Sequence, residues 1–299
     1  MGHHHDHSGH HHRTNNRRRL TLTLLLTLAY MVAEAVGGWL SGSLALLADA
    51  GHMLSDAAAL ALSLLAAWIA SRPPTPEHSY GYYRAEILAA LANGATLVAI
   101  SVFIFVEAIS RLTHPPEVQG GLMLGIAAGG LAVNLLGLAI LNAGKSDNLN
   151  MHGAWLHLLT DALGSVAAIV AGALVWARGW YLADPIASIL IGLLVIYSSW
   201  GLLNESISIL MERAPRNINI DTVRDVVMGV PGVCQMHDLH IWTITSGMIS
   251  LSAHVVLAGN HSADDTLRSL RIVLHDRFGI DHITIQIEAE EGGGCESAF

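Results

Sequence analysis

Six times along the chain, a run of apolar residues continues long enough to cross a bilayer before a polar break stops it. The runs occupy residues 19–40, 44–70, 85–111, 119–142, 152–177 and 184–203, and about 20 helical residues suffice for a span. Short breaks rich in Ser, Pro, Gly and charge separate them: SGS, SRPPTPEHSYGYYR, THPPEVQ, AGKSDNLN and RGWYLAD. Beyond residue 204 the period changes. NIDTVRDVVMGV repeats as a helix, CQMHDLHIWTIT and MISLSAHVVLA alternate as strands, ADDTLRSLRIVLHDRF is an amphipathic helix, and HITIQIEAE is a last strand. The predicted fold class is therefore a six-helix α-helical membrane protein with a C-terminal cytosolic α+β domain. The domain's αββαβ order implies a small sheet with helices on one face. The expected division is a histidine-rich tail at 1–17, a transmembrane domain at 18–204, a cytosolic domain at 205–290 and an unstructured tail at 291–299.

Composition sharpens this. Hydrophobic residues make up 52% and charged residues 13% of the 299 positions, about half the charged share of soluble domains. The net charge of −9 argues against a nucleic-acid partner. From Glu205 onward, 13 acidic residues face six basic ones, a net of −7. Arg13, Arg17, Arg18, Arg19, Arg72, Arg84 and Lys145 flank the runs on one side; Arg111 and Arg178 flank them on the other. The positive-inside rule puts the N-terminus in the cytosol, and six crossings return the C-terminal domain there. Cys234 and Cys295 form no CxxC pair, so free thiols are expected. The opening MGHHHDHSGHHH holds seven histidines in twelve residues. It is read as an irregular, weakly metal-binding tail rather than an uninterrupted tag or a signal peptide.

The candidate chemistry lies inside the apolar runs. HMLSDA, residues 52–57, returns as HLLTDA, residues 157–162. Four residues are about one helical turn, so His52 and Asp56 share a face, as do His157 and Asp161. Both pairs fall near the midplane, on spans of opposite direction, as in inverted-repeat transporters. Two imidazoles and two carboxylates suit tetrahedral Zn²⁺, and the two carboxylates neutralise the dication. Bare, they would cost about 2.5–3.5 kcal/mol each in the bilayer, which favours taking up protons when the metal is absent. A buried His–Asp pair bonded to a neighbouring helix would explain one motif, but not two matching ones. HExxH and Glu-x-x-His patterns are missing there, and four protein ligands leave no open position for catalysis.

The stretches SGSLALLADAGHMLSDAAALALSLLA, YGYYRAEILAALANG, HLLTDALGSV, ADPIASILIG and HDLHIWTITSG together resemble the cation diffusion facilitator family, in its bacterial zinc-exporting form. The resemblance implies a homodimer in the bacterial inner membrane that exchanges Zn²⁺ for protons, with Cd²⁺ or Co²⁺ as further cargo. It assigns the transport site to His52, Asp56, His157 and Asp161, supported by Asp49. It also implies metal ligands in the cytosolic domain at His237, His254, Asp281 and Glu288, with His261 a further candidate and Gln286 where some members have histidine. A loop site after the second span would use Glu77 and His78, with Tyr82 at the position of the family's last histidine. His114, His152 and His275 are ordinary surface histidines on this reading. Glu34, Glu86, Glu107 and Asp184 are expected to cap or pair helices, and ALANG and GGLAVNLLG to pack helices closely. The competing function is a membrane-bound zinc sensor or binding protein without transport; no relay motif accompanies it.

Overall fold

A computed structural model describes residues 8–142, 149–245, 247–258 and 261–289. Six long helices come first: α1 Ser8–Ser41, α2 Leu44–Ala70, α3 Ala85–Thr113, α4 Gly120–Asn142, α5 Leu149–Arg178 and α6 Ala183–Leu210. Each carries a window apolar enough to cross a membrane, that of α1 lying in Thr21–Ser41. Two bounds differ from the sequence reading. Helical backbone begins at Ser8, inside the histidine-rich stretch, and α6 runs six residues past the boundary expected at 204. Ile207, Ile209 and Leu210 continue the helical repeat there, so one acidic position, Glu205, does not stop the helix. Residues 1–7 and the tail at 291–299 lie outside the described residues.

Two compact units divide the chain, residues 1–61 with 93–201, and residues 62–92 with 202–299. In the first, Leu44, Leu46, Ile104, Met123, Ala168 and Val175 belong to one buried cluster, while bulky side chains such as Trp39 and Trp176 point outward. A membrane protein meets lipid with its large apolar groups and saves small ones for helix contact. Gly120 shows the second half of that rule: a Cβ there would stand 2.5 Å from the Trp176 backbone nitrogen. Only hydrogen lets α4 and α5 approach so closely.

The start of α2 is capped from far away. Asp184, in the first turn of α6 and fully buried, accepts hydrogen bonds from Ser43 Oγ at 2.6 Å, Leu44 N at 2.8 Å and Ala45 N at 3.2 Å. Arg111 of α3 lies 3.9 Å from the same carboxylate and donates to Gly42 O at 2.8 Å. The unpaired first amides of a helix need such an acceptor.

In the second unit, helix α7 Ile220–Met228 and helix α8 Ala263–Phe278 accompany strands β1 Val233–Thr245, β2 Met248–Leu257 and β3 His282–Ala289. The sheet order is β1-β2-β3, antiparallel then parallel, in the αββαβ sequence expected. Asn219 and Ser262 cap the two helices, and Gly279 ends α8 in the left-handed region. Leu251, Val255, Leu270 and Leu274 lie in its core. Within the same unit, Arg84 donates to Glu212 at 2.9 Å and Thr245 to Glu86 at 2.6 Å. Cys234 is disulfide-bonded, contrary to the free thiol expected, and Cys295 lies outside the described residues.

Candidate metal centre

Helices α2 and α5 bring the repeated motifs together. His52 Nε2 lies 3.4 Å from Asp56 Oδ2 and 3.8 Å from Asp161 Oδ1. His157 Nε2 lies 3.3 Å from Asp56 Oδ2 and 3.6 Å from Asp161 Oδ2. The two imidazoles meet edge to face at 5.9 Å. Ligand bonds of about 2.0–2.1 Å would set tetrahedral donor atoms about 3.3 Å apart; the four nitrogen–oxygen separations run from 3.3 to 3.8 Å, and Asp56 falls outside the group of ligand atoms that lie closest together. Ligand atoms of His52, His157 and Asp161 all fall within 4.8 Å of one another.

The electrostatics point the same way. Both oxygens of Asp161, Asp56 Oδ2 and His52 Nδ1 are buried without a hydrogen bond. Buried polar atoms are rarely left so, and carboxylate lone pairs facing two imidazoles are an environment for a cation. Asp161 is 3% exposed and His157 45%, so the centre is closed at one corner and open at another. A partly open cavity lined by Asp49, His52, Asp161, Leu190 and Leu194 reaches it.

Neighbouring polar groups hold the ligand helices without using the ligand atoms. Ser165 Oγ donates to the Asp161 carbonyl at 3.1 Å and receives Asn134 Nδ2 at 3.3 Å. Ser55 Oγ donates to Asn93 Oδ1 at 3.1 Å. The sequence reading missed Asn93 and Asn134. Their signal was present, since both sit in the small-residue stretches ALANG and GGLAVNLLG that were read as packing alone.

A second cluster lies on the sheet. His237 pairs across the β1–β2 ladder with His254, their rings 5.1 Å apart. Glu288 of β3 reaches both, at 3.0 Å from His237 Nε2 and 2.8 Å from His254 Nδ1. The hydrogen bond with His237, then those with His254 and Gln286, hold the Glu288 carboxyl below its ordinary value. Asp238, in the left-handed region at φ 50°, marks a register shift directly after His237.

The remaining candidates are elsewhere. Asp281 faces His275 at 2.7 Å instead of joining His237 and His254, because it precedes β3 whereas Glu288 lies near its end. His261 packs its ring over Gly232, where a Cβ would stand 2.6 Å from it. His78 hydrogen-bonds the backbone turn at Thr75 and stacks on Tyr82 at 4.6 Å, and no group of three ligands forms around Glu77 and His78 among the described residues. Glu107 pairs with Arg111 one turn on within α3, and Glu86 accepts from Thr245 of β1, so neither of these bonds joins two helices; of the four acids expected to cap or pair helices, Asp184 caps one. Glu34 does neither: it is 1% exposed, and neither oxygen receives a hydrogen bond.

Residues 20–211 match the cation efflux transmembrane domain, and residues 215–290 the cation efflux protein cytoplasmic domain. The chain belongs to the cation diffusion facilitator family. This cation efflux protein is 44% identical over 275 residues to a cadmium, cobalt and zinc/H⁺-K⁺ antiporter of Bacillus subtilis, covering 91% of this chain and 88% of that one. It is 44% identical over 264 residues to the zinc transporter ZitB of Escherichia coli, covering 88% and 84%. A solved metal-bound C-terminal domain of the CzcD transporter from Cupriavidus metallidurans is 40% identical, with a TM-score of 0.23, covering 24% of this chain and 99% of that one. The family is one of membrane transporters for metal cations, not of enzymes.

Proposed function

We propose that this cation efflux protein exports Zn²⁺ from the cytosol in exchange for protons, through one tetrahedral site made by His52, Asp56, His157 and Asp161. The observation that carries the reading is that both Asp161 oxygens and Asp56 Oδ2 are buried without a hydrogen bond beside two imidazoles. The metal-loaded centre is neutral, with two carboxylates against one dication. Emptied, its carboxylates and imidazoles become acceptors for protons, and cation and proton compete for the same lone pairs. The names of the relatives, which include zinc, cadmium, cobalt and proton antiport, support that cargo and coupling.

On this reading the protein sits in the bacterial inner membrane with both termini in the cytosol and works as a homodimer, and the matched domain's role in its family supports the pairing. The cytosolic cluster takes a resident zinc ion. His237, His254 and Glu288 fit it by donor type, two nitrogens and a carboxylate oxygen within 4.8 Å of one another. Bound there, a dication offsets the repulsion between two acidic domains within a Debye length of about 8 Å. Zinc flux into liposomes bearing the purified protein tests the proposal. Flux should rise with an imposed pH gradient and disappear in Asp161→Ala. Flux indifferent to the gradient, or robust flux in that variant, would overturn it. Zinc titration of the His237→Ala/His254→Ala double variant should show the cytosolic ion lost.

A further inference from the structure

Helix α4 supplies none of the proposed metal ligands, yet one polar side chain interrupts its buried face. That face is otherwise glycine, alanine, methionine and leucine, and Asn134 within it is 3% exposed. A buried amide in such surroundings is costly without a partner. Its Nδ2 donates to Ser165 Oγ of α5 at 3.3 Å, and Ser165 Oγ donates to the main-chain carbonyl of Asp161 at 3.1 Å. A hydroxyl has a single proton to give. With Asn134 donating to the Ser165 oxygen, that proton is aimed at Asp161. The two helices are locked together on either side of this relay. A Cβ at Gly120 would meet the Trp176 backbone, and one at Gly137 would stand 2.8 Å from Leu158 Cδ1. Asn134 lies between these close approaches, so α4 is a splint against which the Asp161 turn is set.

The other motif has no such relay. Ser55, next to Asp56, gives its proton to Asn93 Oδ1 of α3 and has none left for a main-chain carbonyl of α2. Exposure and spacing divide the same way. The Asp161 side chain is 3% exposed and that of Asp56 29%, and Asp161, not Asp56, lies in the tight group with both imidazoles. Neither Asp161 oxygen is hydrogen-bonded, whereas carboxylate ligands are ordinarily oriented by bonds to their own oxygens. Asp161 is placed from behind, through its backbone. We propose that Asn134 is a positioning residue: through Ser165 it fixes Asp161 as the rigid corner of the centre and thereby sets the preference for Zn²⁺ over a larger dication such as Cd²⁺. A corner that cannot retreat keeps donor separations short, which suits the smaller ion. A corner free to shift lets the centre widen, which favours the larger one. The inference rests on the four-residue zinc site proposed above and adds to it what sets its size.

Zinc and cadmium flux through the full chain in liposomes tests this, with each ion alone and then with the two in competition. Asn134→Leu keeps the shape and removes the donor. It should raise the KM for zinc by about tenfold, the lower end for losing a group behind a metal ligand. The KM for cadmium should rise less, so the competition ratio moves toward cadmium. Ser165→Ala should do the same. The Asn134→Leu/Ser165→Ala double variant should be no worse than either single change, because one relay is broken only once. Ser165→Thr, which keeps the hydroxyl, should retain the wild-type preference. The melting temperature of the metal-free protein in detergent should hold in Asn134→Leu, since a leucine on that apolar face leaves no polar group unpaired. Wild-type KM and ratio in Asn134→Leu, equal losses for the two ions, or additive losses in the double variant overturns the assignment. Should Asn134→Leu fail to fold, Ser165→Ala against Ser165→Thr carries the same comparison. If instead Asp161→Ala moves zinc as well as the wild type does, the four-residue site itself fails, which keeps the two readings apart.

Discussion

His237 and His254 occupy the same rung of the β1–β2 ladder, and Glu288, from the strand beyond, hydrogen-bonds to both. The arrangement makes the metal-free domain sensitive to acid. The Glu288 carboxyl sits below its ordinary value of 4.5 in the folded state. An unfolded chain takes the proton near 4.5, the folded chain only at lower pH, so the stabilisation is full above 4.5 and is lost as pH falls through the folded value. Glu288→Gln should flatten this acid limb. Thermal unfolding of the zinc-free C-terminal segment across that range checks it, and an offset independent of pH would contradict it.

On the proposed reading, His52, Asp56, His157 and Asp161 act as a unit. Removing Asp56 or Asp161 leaves a bound dication one negative charge short in a low dielectric, so Asp56→Ala and Asp161→Ala should lower zinc flux by at least about 100-fold. Asp56→Asn keeps the shape but neither the charge nor the titration, and should fail equally. Liposome flux at matched protein levels is the measurement.

Replacing His52 alters the choice of metal rather than removing the site. His52→Asp supplies a charged oxygen in place of an imidazole nitrogen and relaxes the two-nitrogen preference. Zinc flux should persist within about tenfold, and the ratio of Cd²⁺ to Zn²⁺ flux should rise. Competition between the two ions reads this directly.

The remote cap of α2 has a measurable worth. Asp184→Ala strips the acceptor from Ser43, Leu44 and Ala45, and loss of a cap costs about 0.5–2 kcal/mol. Burial at 0% exposure and the nearby Arg111 place the loss at the upper end. The melting temperature in detergent should fall, with Asp184→Asn closer to wild type because its amide oxygen still accepts.

The spans and the two facing His–Asp pairs were legible because each reports a local regularity. An apolar run of fixed length means a crossing, and a four-residue spacing puts His52 and Asp56, or His157 and Asp161, on one face. Contacts across the chain left weaker traces. Nothing near Asp184 says that its partners are Ser43 and Leu44, far upstream. Asn93 and Asn134 looked like packing residues because their neighbours are small, and small neighbours are what lets an amide reach across. Asp281 sits close to Glu288 in the chain, yet lies before β3 where Glu288 lies near its end. Glu34 looked like a helix-pairing acid because nothing in its own stretch shows that it is buried with neither oxygen hydrogen-bonded.

The cap supplied by Asp184 has a consequence for the order in which the protein is built. Helix α2 carries half of the proposed metal ligands, yet its first turn is completed by a residue synthesised about 140 positions later. A nascent chain that has inserted only five spans holds α2 with its leading amides unpaired. The first turn of the helix that carries His52 and Asp56 is therefore completed only once the sixth span has arrived.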